Sequence, residues 1–227
     1  MHSIRWAALS CLTAAVVTGG VFFGCSDNAS TPGGEQVTDV PKGPVPLPFL
    51  VSEEFAPSGF MGEPKEPKPG VIEGLKISPS DCRSDRKAEA AGACYKIDFV
   101  PVLTPAGKGW GGMYWQSPTN NWGAVEGKQI APGAKRVRFF AAGAKGGELV
   151  KFMAGGIDDK DDIDDNDPTI ALPYADTLKA TMTVTLTTEW TEYVLELGDQ
   201  NYDRVLGGFA WSMDVTTTDP ISFYLDN

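Results

Sequence analysis

From residue 49 onward, apolar and polar side chains alternate with a period of two, and little of the chain shows helical spacing. The clearest runs are Tyr95, Ile97 and Phe99 in CYKIDFV, Val137 and Phe139 in RVRFF, Met182, Val184 and Leu186 in TMTVTLT, and Ile221, Phe223 and Leu225 in ISFYLD. Successive side chains of a strand point to opposite faces, so each run predicts a half-buried strand. Further strands are predicted over residues 49–55, 71–77, 112–116, 148–155, 190–197 and 206–213. About ten short strands, separated by Gly, Pro and Asp, predict an all-β fold, an antiparallel β-sandwich over residues 49–227. That length supports one hydrophobic core, not two.

The first two dozen residues follow a different pattern. Arg5 supplies a positive start, and residues 7–21 are apolar apart from small polar side chains, too short and weakly flanked for a membrane span. Residues 1–24 are therefore read as a signal peptide. The segment VFFGC resembles the lipobox of bacterial lipoproteins, in which Gly precedes a Cys that is acylated and becomes the mature N-terminus. Cys25 is the implied lipidation site, although Phe22 stands where Leu is usual; the alternative is an ordinary signal peptide cut nearby. Several acyl chains on one residue suffice for stable anchoring, and Ser26, in place of Asp, implies onward sorting to the outer membrane or cell surface. Residues 25–48 then read as lipidated Cys plus a solvated Ser, Thr, Gly and Pro tether, with a mean span of roughly 25–30 Å. A second Pro-rich piece, GEPKEPKPG at 62–70, predicts an extended loop.

Composition narrows the chemistry. Of four cysteines, Cys11 lies in the signal and Cys25 at its end, leaving Cys82 and Cys94; in an exported chain these predict a disulfide, with free buried thiols as the alternative. The single histidine, His2, also lies in the signal. Without imidazole, Ser-His-Asp and Cys-His catalysis and histidine-ligated zinc are excluded, and carboxylate chemistry, oxygen-ligated calcium or no chemistry remain. The formal charge of −11 becomes one unit more negative when Arg5 is removed, which excludes nucleic acid and anionic membrane surfaces as partners. The acidic run at 158–167 predicts an open surface loop. Its Asp162, Asp164 and Asn166 are spaced like a calcium loop, but Asp167 replaces the required Gly and Pro173 the bidentate Glu.

One stretch carries candidate chemistry. GWGGMYWQSPTNNWG, residues 109–123, sets four aromatic side chains among glycines and amides. Flat aromatic faces cover the apolar faces of a pyranose, and amides donate to and accept from its hydroxyls, so the mixture suits sugar binding without catalysis. The carbohydrate-binding candidates are Trp110, Tyr114, Gln116, Asn120, Asn121 and Trp122, with Trp122 the leading platform because a loop frees it from strand alternation. Trp115 reads either as platform or as core. If Met113 and Trp115 point inward, Tyr114 and Gln116 point out; the opposite parity swaps them. Trp211 shares parity with Phe209 and Met213 and reads as core, and Trp190 as packing.

FAPSGFMGE at 55–63, MYWQSPTNNWG at 113–123, GGELVKFMAGGI at 146–157, LTTEWTEYVLEL at 186–197, GGFAWSM at 207–213 and the final FYLDN resemble jelly-roll modules of the galactose-binding-like superfamily, such as the carbohydrate-binding modules of bacterial glycanases. They are more closely similar to exported lipoproteins of soil bacteria, including myxobacteria. The resemblance implies a jelly roll that binds polysaccharide or oligosaccharide on the concave face of one sheet. It also implies a structural calcium tying the first strand to the last, with Glu53 or Glu54 and Asp226 in the matching positions. Two other readings stand beside it: a lipoprotein that docks another envelope protein, and a glycoside hydrolase or lyase. The hydrolase reading lacks a signature, because Glu189, Glu192 and Glu196 have no matching Asp, and Glu126, Glu148 and Asp176 show no recognisable pairing.

Overall fold

The alternating runs become strands that fall into two stacked sheets. The computed structural model describes residues 43–62, 74–79, 81–87, 89–158, 162–163 and 168–226. Residues 1–24, read above as a signal peptide, Cys25, most of the segment read as a tether, residues 63–70 of the Pro-rich piece, and Asp164 and Asn166 lie outside the described residues. A single turn, α1 (Val51–Glu54), precedes β1 (Ala56–Gly62), β2 (Leu75–Ser78), β3 (Tyr95–Phe99), β4 (Gly109–Gln116), β5 (Arg136–Gly143) and β6 (Leu149–Gly155). A two-residue pair, β7 (Asp162–Ile163) with β8 (Ala171–Leu172), is followed by β9 (Lys179–Thr185), β10 (Thr191–Glu196), β11 (Gly207–Val215) and β12 (Ile221–Asp226). The first sheet has the order β1-β4-β11-β6-β9 and the second β10-β5-β12-β3-β2, with antiparallel pairing throughout. The chain passes repeatedly from one sheet to the other. This is a β-sandwich of the jelly-roll kind.

The core lies between the sheets and is built from the inward half of each alternating strand: Ile97 of β3, Met113 and Trp115 of β4, Phe139 of β5, Phe152 of β6, Phe209 and Trp211 of β11, and Phe223 and Leu225 of β12. Its aromatic rings pack edge to face, Trp211 on Phe223 at 5.0 Å and Trp115 on Phe209 at 5.6 Å between centroids. Each such side chain contributes about 1.5–3 kcal/mol by leaving water. Trp115 is thus core, and Trp211 and Trp190 are buried as their parity and position predict.

Two elements depart from the sequence pattern. Residues 49–55, expected as a strand, instead form the turn α1, closed by the Phe55 N–H donating to the Val51 carbonyl at 2.8 Å. The turn brings Phe49 and Phe55 within 6.3 Å of each other, and Phe55 packs where Gly208 leaves room. Conversely β1 was not expected, because Pro57, Gly59 and Gly62 interrupt its alternation. Pairing with β4 builds it, with a bulge between Pro57 and Gly59. Cys82 and Cys94 form the predicted disulfide.

Candidate functional site

With Met113 and Trp115 inward, Trp110, Gly112, Tyr114 and Gln116 point to the outer face of the first sheet. Register then fixes their neighbours. Met61, Gly112, Ser212, Lys151 and Thr183 form one continuous cross-strand row over β1, β4, β11, β6 and β9. Gly59, Tyr114, Ala210, Met153 and Thr181 form the next, and Trp110 sits directly opposite Asp214. Trp110 is half-exposed and belongs to none of the hydrophobic clusters, while Asp214, Lys151, Thr181 and Thr183 are exposed. Gly112, between Trp110 and Tyr114, leaves the floor without a side chain, and the Met61 methyl group borders it. The resulting surface is a shallow strip with one indole, one carboxylate, one ammonium and several hydroxyls.

At the other end of the strip a second, smaller apolar cluster covers the sheet: Tyr114, Met153, Ile157, Leu206 and Ala210, with Met61, Trp122 and Tyr174 packed on it. Trp122 is half-buried and meets the Tyr114 ring edge to face at 5.8 Å. The Tyr114 hydroxyl donates to the Gly155 carbonyl at 3.3 Å. Trp122 thus forms a wall at the end of the strip rather than a bare platform.

The amides are placed differently from the sequence expectation. Gln116 is buried, lies over Gly59, donates to the Asn121 carbonyl at 3.1 Å and accepts from the Ser58 hydroxyl at 3.2 Å. Asn121 is also buried: its Nδ2 donates to the carbonyls of Ser117 and Val125, and its Oδ1 accepts from the N–H groups of Gly123 and Val125. These two side chains hold the loop after β4 instead of facing a ligand, because its backbone groups have no strand partner and must be satisfied locally. Asn120 alone of the expected amides is exposed, in the left-handed conformation that Asn tolerates (φ 59°), with its N–H donating to Ser58.

Behind the wall lies a carboxylate. Asp176 is half-buried and accepts from the N–H groups of Ile157 at 2.9 Å, Leu206 at 2.5 Å and Gly207 at 3.3 Å. Among the described residues no cation donates to it; Arg204 donates instead to the Ala175 carbonyl, lies over the Tyr174 ring, and favours the ionised carboxylate through its charge alone. Burial pushes the Asp176 carboxyl up to about 6, against the three backbone N–H groups that favour its ionised form.

The residues expected to hold calcium are each committed elsewhere or exposed. Both oxygens of buried Asp226 accept from Arg86, at 2.6 Å each, Glu54 is paired with Lys128, and Glu53 is exposed. As arranged they do not fit a cation, which would have to displace an Arg and a Lys first. The Cys82–Cys94 loop carries Arg86 to Asp226 and sets Arg83 over the rings of Trp190 and Tyr224, at 5.7 and 5.6 Å. Of the acids considered for catalysis, Glu126 is exposed, Glu148 accepts from the Lys145 N–H, and Asp176 is tied into the backbone. Among the described residues, the five strands of the outer face contribute one outward acid, Asp214.

Sequence reasoning passed over Asp214, Ser212, Lys151, Thr181 and Thr183. Their signal was present: each is the polar half of an alternating strand whose apolar half is core. Pairing order, which composition does not carry, is what brings them beside Trp110.

No protein-family model and no curated protein matches the chain. Solved structures that resemble it are carbohydrate-binding modules. A family 30 module of a cellulosomal cellulase of Clostridium thermocellum aligns at 13% identity and TM-score 0.41, over 77% of this chain and 91% of that one. A family 11 module from Clostridium thermocellum, in complex with a β-1,3-1,4-mixed-linked tetrasaccharide, aligns at 12% and 0.36 over 74% and 86%. A family 61 module in complex with β-1,4-galactotriose aligns at 13% and 0.36 over 77% and 88%. At such identities a likeness concerns fold, and function has to be argued from this chain's own side chains.

Proposed function

We propose that this protein is a non-catalytic glycan-binding sandwich, held at a membrane by lipid on Cys25, which takes polysaccharide along the outer face of its first sheet. The observation that carries the reading is the half-exposed indole of Trp110 opposite Asp214, beside the side-chain-free Gly112 and the Ser212, Lys151 and Thr183 row. An indole in a rigid strand offers a flat apolar face at little rotamer cost. Asp214 accepts from sugar hydroxyls, Lys151 donates to them, and Ser212 and Thr183 do both. Trp122 closes one end of the strip, so a short run of sugar units is read along about 13 Å between Trp110 and Tyr114. Glycosidase chemistry needs two carboxylates about 5–9.5 Å apart across the substrate, and a lone outward Asp214 supports binding without cleavage.

The test is affinity electrophoresis and calorimetry against soluble glycans, including mixed-linked β-glucan and β-1,4-galactan. Wild type is retarded by at least one of them, and Trp110→Ala and Asp214→Ala lose the retardation while keeping wild-type melting temperatures. Absence of retardation on the whole panel, with an envelope protein captured instead, replaces this reading by that of a docking scaffold. The anchor is tested separately. Labelled palmitate enters the wild-type chain and not Cys25→Ser; equal labelling, or none in either, removes the lipid from the proposal.

A further inference from the structure

Trp110 of β4 and Asp214 of β11 are direct cross-strand partners on the outer face of the first sheet, so their β-carbons lie about 4.5–5.5 Å apart. The indole is half-exposed and the carboxylate exposed. Several other rings and strand acids of this chain already hold a cation. Arg83 lies over Trp190 and Tyr224, Lys128 over Phe55 and Arg204 over Tyr174, while Asp98, Asp226 and Glu192 pair with Lys96, Arg86 and Arg138. Among the described residues no Lys or Arg lies over the Trp110 ring, and none pairs with Asp214. A flat aromatic face and a carboxylate therefore stand side by side, both open to a ligand.

We propose that the strip selects a glycan with free amino groups, a β-linked glucosamine chain: one ring stacks on Trp110 and its ammonium reaches Asp214. The inference rests on the glycan reading of the face and names the sugar class. A pyranose stacked on the indole turns its ring-edge substituents toward the neighbouring strand, where Asp214 stands. A hydroxyl in that place donates one ordinary hydrogen bond, whereas an ammonium donates charge-assisted bonds, which are roughly twice as strong. The same ammonium stays close to the indole, whose face attracts cations. Lys151, in the next row opposite Ser212, repels a second ammonium there, so the amine is read at Trp110 alone. At longer range the chain's formal charge of −11 draws cationic chains toward the face.

The experiment compares a β-1,4-linked glucosamine hexamer with the glucose hexamer of the same linkage by calorimetry at pH 5.5, where the sugar amine carries its proton. The two ligands differ at the substituent that meets Asp214. Wild type binds the amine form about tenfold more tightly, and the preference shrinks as salt is raised from 50 to 500 mM. Asp214→Asn keeps the shape and loses the charge, and binds the two hexamers alike; Trp110→Ala binds neither. Wild type that binds both hexamers equally overturns the inference and leaves the glycan reading standing. A preference that persists in Asp214→Asn also overturns it, because the whole chain's charge is then its source. Oligolysine that binds as tightly as the glucosamine hexamer and displaces it replaces the amino sugar by a basic peptide. Binding to neither hexamer, nor to any neutral glycan, overturns the glycan reading as well. Should Asp214→Asn fail to fold, the wild-type comparison and its salt dependence decide.

Discussion

At the scale of single residues, the indoles separate into two kinds with opposite consequences. Trp211 is wholly buried against Phe223, and Trp211→Ala costs about 3–5 kcal/mol through lost burial and the cavity left behind. Trp110→Ala, on the outer face, changes stability by about 0.5 kcal/mol or less yet removes the proposed platform. Urea unfolding of both variants checks the contrast, and a large loss of stability in Trp110→Ala would place that ring in the core. Asn121→Ala costs about 2–4 kcal/mol, because it leaves the Ser117 and Val125 carbonyls and the Gly123 and Val125 N–H groups without the partner that now serves them. An effect near zero in the same unfolding experiment would mean that water replaces the amide freely. The amides also mark where sequence reading stops. That Asn121 and Gln116 sit next to tryptophans was visible; that the loop and β1 bury them was not, because a loop's demand for hydrogen bonds depends on which backbone groups the strands leave unpaired.

At the scale of elements, strands with strict alternation, β3, β5, β9 and β12, were legible because each carries its own record of one dry face and one wet face. β1 was not, since two glycines and a proline erase the period and β4 supplies the pairing that orders it. The turn α1 was missed for the converse reason: its run is apolar enough for a strand, but the contact of Phe49 with Phe55 requires the chain to bend. The loop between Cys82 and Cys94 holds its place by three devices, the disulfide, the Arg86–Asp226 pair and Arg83 over two rings. Opening the disulfide in Cys82→Ser with Cys94→Ser costs about 3 kcal/mol for a loop of this length. Denaturant midpoints of the double variant measure it. An unchanged midpoint would mean that the two arginines alone fix the loop.

At the scale of the whole molecule, the two kinds of carboxylate give the fold opposite responses to acid. A hydrogen bond from Arg83 is the main cause that holds Asp85 below its usual range, so its contribution is present at neutral pH and is lost as pH falls through its folded-state value. Asp176 runs the other way. Its folded value of about 6 lies above its ordinary 3.8, so the folded chain binds that proton more tightly than the unfolded one. Stability from this group is fully present below about pH 4 and declines as pH rises to about 6, by about 3 kcal/mol. The difference in unfolding free energy between wild type and Asp176→Asn, measured from pH 4 to pH 7, should fall by that amount; a flat difference would show that the three N–H groups fully offset burial. The position of β12 bears on how such a chain is made. The last strand of the sandwich is not at an edge but between β5 and β3 in the second sheet, and it brings Phe223 and Leu225 to the core. Neither β5 nor β3 has its shared neighbour until residues 221–226 have been synthesised. The pairing that closes the second sheet therefore comes last in synthesis, and ribosome-bound chains halted before Ile221 should remain protease-sensitive where the released chain resists.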